Sequence, residues 1–363
     1  MESKKDLPLS AKVLIKLLLT ITVIFILIVA KTLLVPLFFA ILFAYALYPS
    51  AKKLEKVGIP RIIANLILII SLIAVVALSI YGTAQLTSTV TDDLPSIKEN
   101  VEQNISTAEK AVSGWLIISD EQVESLTDGI QNTGQIIGSV FSSTTNTILG
   151  IGLLPVYTFL LLFYRNKFRD FIAQVSSSEY KEITDNIIKQ ASDIVPRYLK
   201  GLFVVCLILI LLNSIGFYII GIEYALLMGV IAAFFNLIPY LGTVIGYGIV
   251  FLFVFLTQSP SLSLAVLGQF FIVQFIENYI LTPNITGSYV QINPLVTILA
   301  LIGGGMIWGL SGMFLVIPFL AFLKIVFENI PDLKPVAYLL GTRGTEKYSI
   351  NIRSLKQLFG WAD

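Results

Sequence analysis

A carboxylate stands in the middle of an apolar stretch at Glu277, with Asn278 beside it and Gln269 and Gln274 before it. Thr282-Pro283-Asn284 follows directly. On a helix, positions 270, 274, 277 and 281 share one face, so Gln274 and Glu277 point the same way. An ionisable side chain at membrane depth is costly and marks a working site by default. The chemistry open to it is cation binding, proton exchange or a hydrogen bond to a polar solute. A plainer alternative keeps Glu277 at the interface, capping the next turn or paired with Lys324.

Two long apolar segments are interrupted. The first, 224–256, is broken by Asn236-Leu-Ile-Pro-Tyr-Leu-Gly242. The second, 293–327, is broken by Gly303-Gly-Gly305, Gly309, Ser311-Gly312 and Pro318. A straight helix of that length would measure about 50 Å, against a hydrocarbon core of about 30 Å. Each must tilt, protrude, or fold as a re-entrant half-helix followed by a full one. Proline removes a backbone donor and glycine loosens the helix. Backbone opened this way is tolerated at membrane depth only where protein or a watery cavity covers it. Paired interruptions of this kind point to a carrier's binding site. The alternative for the glycines is close helix packing, because Gly242-x-x-x-Gly246 and Gly305-x-x-x-Gly309 carry the small-residue spacing that permits it.

Composition excludes much else. Of 363 residues, 56% are hydrophobic and 13% charged, where soluble domains carry about a quarter charged. Mean hydropathy is +0.86. The net charge of +1 gives no reason to expect a nucleic-acid partner. Cys206 is the only cysteine and histidine is absent, so neither a disulfide framework nor a zinc or haem site is expected. There is no G-x-x-x-x-G-K-[ST] and no H-E-x-x-H. No catalytic residue, cofactor or metal is expected, and the chain reads as a non-enzyme.

The elements that must hold these residues are helices. Apolar runs recur at 14–30, 32–48, 62–82, 147–164, 202–220, 224–256, 262–281 and 293–327. The fold class is therefore all-α: a polytopic membrane protein of about eight transmembrane helices. Lys4, Lys5, Lys12 and Lys16, then Lys52, Lys53, Lys56 and Arg61, mark one side as cytoplasmic by the positive-inside rule. Two crossings are expected between those clusters, with both termini cytoplasmic. Residues 83–146 hold nine acidic side chains against Lys98 and Lys110 and belong outside. Their stripes, Ile97-Val101-Ile105-Ala108-Val112 and Val123-Leu126-Ile130-Ile137-Val140, predict an external helical hairpin. Tyr180, Ile183, Ile187, Ala191 and Ile194 predict a short amphipathic helix beside the membrane, with Pro196 marking the turn into the fifth span. The chain divides into helices 1–3 (1–85), the hairpin (86–146), helix 4 with its linker (147–200), a core (201–330) and a tail (331–363). Asn213-Ser214 reads as glue between helices.

On these residues the sequence resembles the autoinducer-2 exporter family of bacterial membrane proteins. The likeness runs through Arg197-Tyr-Leu-Lys-Gly201, Ala225 to Gly242, Ile276-Glu-Asn-Tyr-Ile-Leu-Thr-Pro283, Ile285-Thr-Gly287 and Val290-Gln-Ile-Asn-Pro294, then Gly304 to Gly312 with Ile317-Pro318. It covers the whole chain in layout and is strongest from about 195 to 328. The resemblance implies an eight-span secondary transporter in the bacterial cytoplasmic membrane, usually a homo-oligomer. Some relatives export autoinducer-2 and others look like sodium(lithium)/proton antiporters. Many members carry glutamine after Gly201, where this chain has Leu202.

The expected function is export of a small polar solute by alternating access, driven by a coupling cation or proton. Asn236, Pro239, Tyr240, Gly242, Gln274, Glu277 and Asn278 are expected to line the site. Gly303, Gly304, Gly305, Gly309, Gly312 and Pro318 are expected to act as its conformational hinge. The rivals are a cation/proton antiporter exchanging at Glu277, and a scaffold or channel that moves no substrate.

Overall fold

A computed structural model of the chain describes residues 8–92, 148–177, 180–286 and 292–342. Helices dominate, and no strand occurs among the described residues. In chain order they are α1 (Leu9–Val29), α2 (Lys31–Lys56), α3 (Arg61–Asp92), α4 (Ile148–Phe163), α5 (Arg165–Val175) and α6 (Lys181–Ile220). There follow α7 (Ala225–Phe235), α8 (Leu241–Thr257), α9 (Pro260–Ile276), a π-helical segment (Glu277–Thr286), α10 (Pro294–Trp308), α11 (Leu310–Asn329) and α12 (Lys334–Leu340). Among the described residues, ten apolar helices occupy the eight predicted runs, because each interrupted run holds two. Five are long and apolar enough to cross a membrane. The protein is an all-α, multi-pass membrane protein. The predicted external hairpin lies outside the described residues, except that α3 continues as helix to Asp92.

Local sequence explains most boundaries. Ser259 accepts a hydrogen bond from the Leu262 N–H at 3.2 Å and Pro260 opens α9, a side-chain cap followed by a residue with no N–H to waste. Asn293 and Pro294 repeat the device at α10, with Leu295 N–H to Asn293 Oδ1 at 3.0 Å. Gly221, at φ 87°, closes α6 in the left-handed conformation that glycine adopts without strain.

The first two helices meet at one residue, Ala30 (φ −86°, ψ 13°), with no loop between them. That bend frees carbonyls of the last turn of α1. One of them, Leu27 O, accepts the indole N–H of Trp308 at 2.9 Å, as lipid-facing backbone requires.

The stretch from Lys181 departs from expectation. No turn occurs at Pro196: α6 is one helix of 40 residues, about 60 Å long and about twice the hydrocarbon thickness. Ala191, Val195 and Pro196 are all buried, so packing on neighbours keeps the helix continuous where proline alone would break it. α6 packs on α2, α7, α9 and α11. With α7, α8 and α9 it forms the main core around Leu209, Phe217, Met228, Val250, Val254 and Val266.

Candidate functional site

The first break sits between α7 and α8. With 11 residues, α7 reaches only about 16 Å and ends inside the protein. Its last turn tightens: Leu237 N–H donates to Phe234 O at 3.1 Å and Ile238 N–H to Phe235 O at 2.9 Å. Pro239 has no N–H to donate. Tyr240 then takes φ 63°, ψ −59°, and Leu241 N–H reaches back to Pro239 O at 2.7 Å. That is a γ-turn of positive φ, rare and strained for a side-chain-bearing residue, at a cost of about 1–3 kcal/mol. Gly242 is what lets α8 start so close to the end of α7, because a Cβ there would lie 1.7 Å from Phe235 O. Gly246 follows one turn later, 2.9 Å from Ala232 O by the same measure.

Opposite this break, α9 widens into the π-helical segment at Glu277. Pro283 lies inside it, and Asn284 Nδ2 donates to Ile280 O at 2.7 Å. Widened turns of this kind recur at functional sites. Here the widening lets Glu277, Asn278 and Thr282 face one cavity.

That cavity has a volume of about 550 Å³ and is walled by α6, α7, the 236–240 break, α8, the end of α9, the π-helical segment, α10 and α11. Among the described residues, Glu277 is the one acidic residue that lines it, and no basic residue does. Its carboxylate is half-buried and takes two amides: Asn236 Nδ2 donates to Oε1 at 2.7 Å, and Gln274 Nε2 donates to Oε2 at 2.9 Å. Hydrogen bonds to a charged acceptor are the stronger kind. Since each amide turns its nitrogen to the carboxylate, its carbonyl oxygen faces elsewhere as an acceptor. Lys324 is within 3.8 Å of Glu328 on its own helix.

Six of the seven predicted site residues line this cavity: Asn236, Pro239, Tyr240, Gln274, Glu277 and Asn278. Gly242 does not line it and works in the helix crossing instead. The predicted hinge residues stand elsewhere. The chain is helical through Gly303, Gly304 and Gly305 and breaks only at Gly309 (φ 62°, ψ −142°). Gly304 and Gly312 press backbone on backbone, since a Cβ on Gly312 would lie 2.0 Å from Gly304 O. Pro318 is buried inside α11. The two interrupted segments do meet: Ile238 of the first break packs with Leu301 of α10 and Ile317 of α11 in a small buried cluster.

Sequence reasoning missed the rest of the wall. Tyr198, Leu202, Val205, Cys206 and Leu209 line it from α6; their spacing is a helical stripe, which alone cannot be told from a packing face. Thr243, Thr282 and Thr297 add hydroxyls. Asn213 is the expected glue: its Oδ1 accepts the Tyr247 hydroxyl, and its carbonyl accepts Gln269 Nε2 at 3.1 Å.

Discontinuous helices whose ends face a polar side chain recur at the binding sites of transporters. The sequence pattern of the AI-2E family transporters matches residues 15–332, and the chain belongs to that family. It is similar to two Bacillus subtilis proteins named for transport. YueF is 32% identical over 81% of this chain and 84% of its own length; YrrI is 28% identical over 82% and 86%. The Escherichia coli protein PerM, named as a permease, is 22% identical over 83% of this chain and 88% of its own.

Proposed function

We propose that the protein is a secondary transporter that exports a small polar solute across the bacterial cytoplasmic membrane by alternating access. One observation carries this reading: the half-buried Glu277 carboxylate, held by Asn236 from the first helix break and by Gln274 one turn before it, in a cavity of about 550 Å³. A cavity of that size, with an apolar wall and a few convergent polar groups, fits a small solute. Glu277 carries the coupling proton or cation. The Asn236 and Gln274 carbonyl oxygens and the Asn278 amide hydrogen-bond the solute, while Pro239 and Tyr240 fix the strained turn beside it. The glycines of α10 and α11, Gly303 to Gly305, Gly309 and Gly312, with Pro318, let that hairpin shift against the first break through Ile238. Both termini are cytoplasmic, the protein acts as a homo-oligomer, and it is not an enzyme. The family's name suggests autoinducer-2 as cargo, but Leu202 puts an apolar side chain on the wall, so another solute is the better expectation.

The experiment is a comparison of spent medium from cells with the wild-type gene, with Glu277→Gln and without the gene. A solute that accumulates outside only with the wild-type protein supports export; identical media in all three refute it. Among the described residues that line the cavity, Glu277 is the one carboxylate and none is basic, which favours a second reading, a cation/proton antiporter. Proteoliposomes containing a pH-sensitive dye separate the two. A sodium-driven proton flux that Glu277→Gln abolishes, with no exported solute, selects the antiporter.

A further inference from the structure

The helix α5 has no role in the cavity, yet its side chains are sorted with care. Phe168, Phe171, Ile172 and Val175 fall at i, i+3, i+4 and i+7 and form one stripe. All four are exposed, at 50%, 62%, 45% and 69%, and α5 contains no buried residue. The half-buried Ala173 lies off that stripe, so the stripe faces away from the rest of the protein. At 3.6 residues per turn, Arg165 and Arg169 border the stripe on one side and Lys167 on the other, while Asp170 falls in the middle of the polar face. Cations at the polar–apolar boundary with an anion at the polar centre suit a helix lying flat in a headgroup layer, where long basic side chains reach phosphates.

The geometry around α5 fixes that posture. Only Tyr164 separates it from the apolar helix α4, so it starts where the chain leaves the membrane. Arg165 is paired with Glu55 at the end of α2 and lies over the Tyr48 ring at 5.2 Å from its centroid. Arg61 approaches the same carboxylate at 3.7 Å and donates to Phe163 O at 3.3 Å. These contacts pin the first turn of α5. At its other end Ser176 Oγ and Thr184 Oγ1 are hydrogen-bonded at 2.7 Å, which ties it to the first turn of α6, the helix that walls the cavity with Tyr198 and Leu202.

We propose that α5 is an in-plane anchor that docks on an anionic phospholipid surface, its apolar stripe in the acyl boundary and Lys167 and Arg169 on headgroup phosphates. The occupant is lipid rather than protein because the cations border the stripe on both sides. The leaflet is the one at the basic end of α2, where Lys53 and Lys56 stand. Through the Ser176–Thr184 bond the anchor sets the height of the base of α6. The inference needs the chain to be a membrane protein and does not depend on what it transports.

Depth measurements on the full-length chain test it. In a Cys206→Ser background, Phe171→Cys and Asn166→Cys carry a small fluorophore, and the protein is reconstituted in phosphatidylcholine vesicles with and without phosphatidylglycerol. The anchor predicts that the label at 171 is quenched by lipid-borne nitroxide and the label at 166 by aqueous iodide. It predicts deeper quenching at 171 when phosphatidylglycerol is present, and loss of that gain in Lys167→Gln/Arg169→Gln. Iodide quenching at 171 overturns it by leaving the stripe in water. Shielding of 171 from both quenchers overturns it in favour of a second copy of the chain. A response indifferent to phosphatidylglycerol removes the anionic-surface claim.

Discussion

The chain breaks two membrane helices, and the two breaks do different things. Between α7 and α8 the interruption is five residues long, polar at Asn236, strained at Tyr240, and aimed into a cavity where its amide holds a carboxylate. Between α10 and α11 it is one glycine. Around Gly309 the freed backbone is spent on close approach: Gly304 against Gly312, and the Trp308 tip against Leu27 and the Phe38 ring at 5.4 Å. A broken helix is therefore not a site in itself. What decides is whether the groups released by the break turn toward polar space or toward other backbone.

The largest effects that test this contrast come from the glycines. Gly242→Ala and Gly312→Ala would each drive a methyl into a backbone carbonyl, 1.7 and 2.0 Å away, where no side chain can yield. Each is expected to destabilise by about 3 kcal/mol or more. Gly303 has nothing within 4 Å and is helical, so Gly303→Ala is expected to be neutral or to stabilise by up to about 1 kcal/mol. Thermal unfolding in detergent ranks the three. Equal losses at 242 and 303 would mean that α7 and α8 do not cross as described.

Next in size is Glu277→Gln. An amide at 277 cannot accept from Asn236 and Gln274 as a carboxylate does, and hydrogen bonds to a charged partner are worth about 1.5–3 kcal/mol. Flux is expected to fall about tenfold or more, which corresponds to about 1.4 kcal/mol, with the unfolding midpoint held within a few degrees. Wild-type flux in this variant would move the chemistry out of the first break.

Much of this was legible beforehand. The all-helical class, both interruptions and six of the residues that line the cavity follow from periodicity, length and misplaced polarity. Asn236 and Glu277 announced themselves because apolar packing has no use for them. Three things were hidden for physical reasons. Pro196 reads as a turn because local backbone rules favour one, and only the packing that buries it keeps α6 intact. The π-helical widening at Glu277 leaves no periodicity signal over ten residues. Gly303 to Gly305 and Gly309 look alike in sequence, yet only the last breaks the helix, because glycine permits a positive φ without requiring one. The stripe on α5 was present in the letters, at Phe168 to Val175, but was overshadowed by the cations between its members.

A smaller effect separates the breaks by access. Cys206, the only thiol, lines the first cavity beside Ala233, with Sγ 3.8 Å from its carbonyl oxygen. A small charged thiol reagent should label it from water and lower flux several-fold by filling the cavity. In a Cys206→Ser background, Leu301→Cys offers the control, because Leu301 is fully buried where the second segment packs on Ile238. It should stay unlabelled. Labelling at 301 as fast as at 206 would mean that water reaches both segments and that the contrast between them is lost.

The smallest expected effect tests whether the second break is held from outside. Leu27 O is freed by the bend at Ala30, and the Trp308 N–H satisfies it. Trp308→Phe keeps an aromatic ring against Phe38 but removes the donor, leaving one carbonyl unpaired among apolar neighbours. The expected loss is about 1 kcal/mol, the net value of an ordinary hydrogen bond, because the bend gives water or a neighbouring group a chance to replace it. The midpoint should drop by only a few degrees, and flux should be untouched or slightly raised, since the hairpin tip is tethered less firmly to α1. A loss of flux as deep as that of Glu277→Gln would place Trp308 in the working cycle. The second break would then be more than a packing device, and the distinction between the two regions would have to be redrawn around motion instead of polarity.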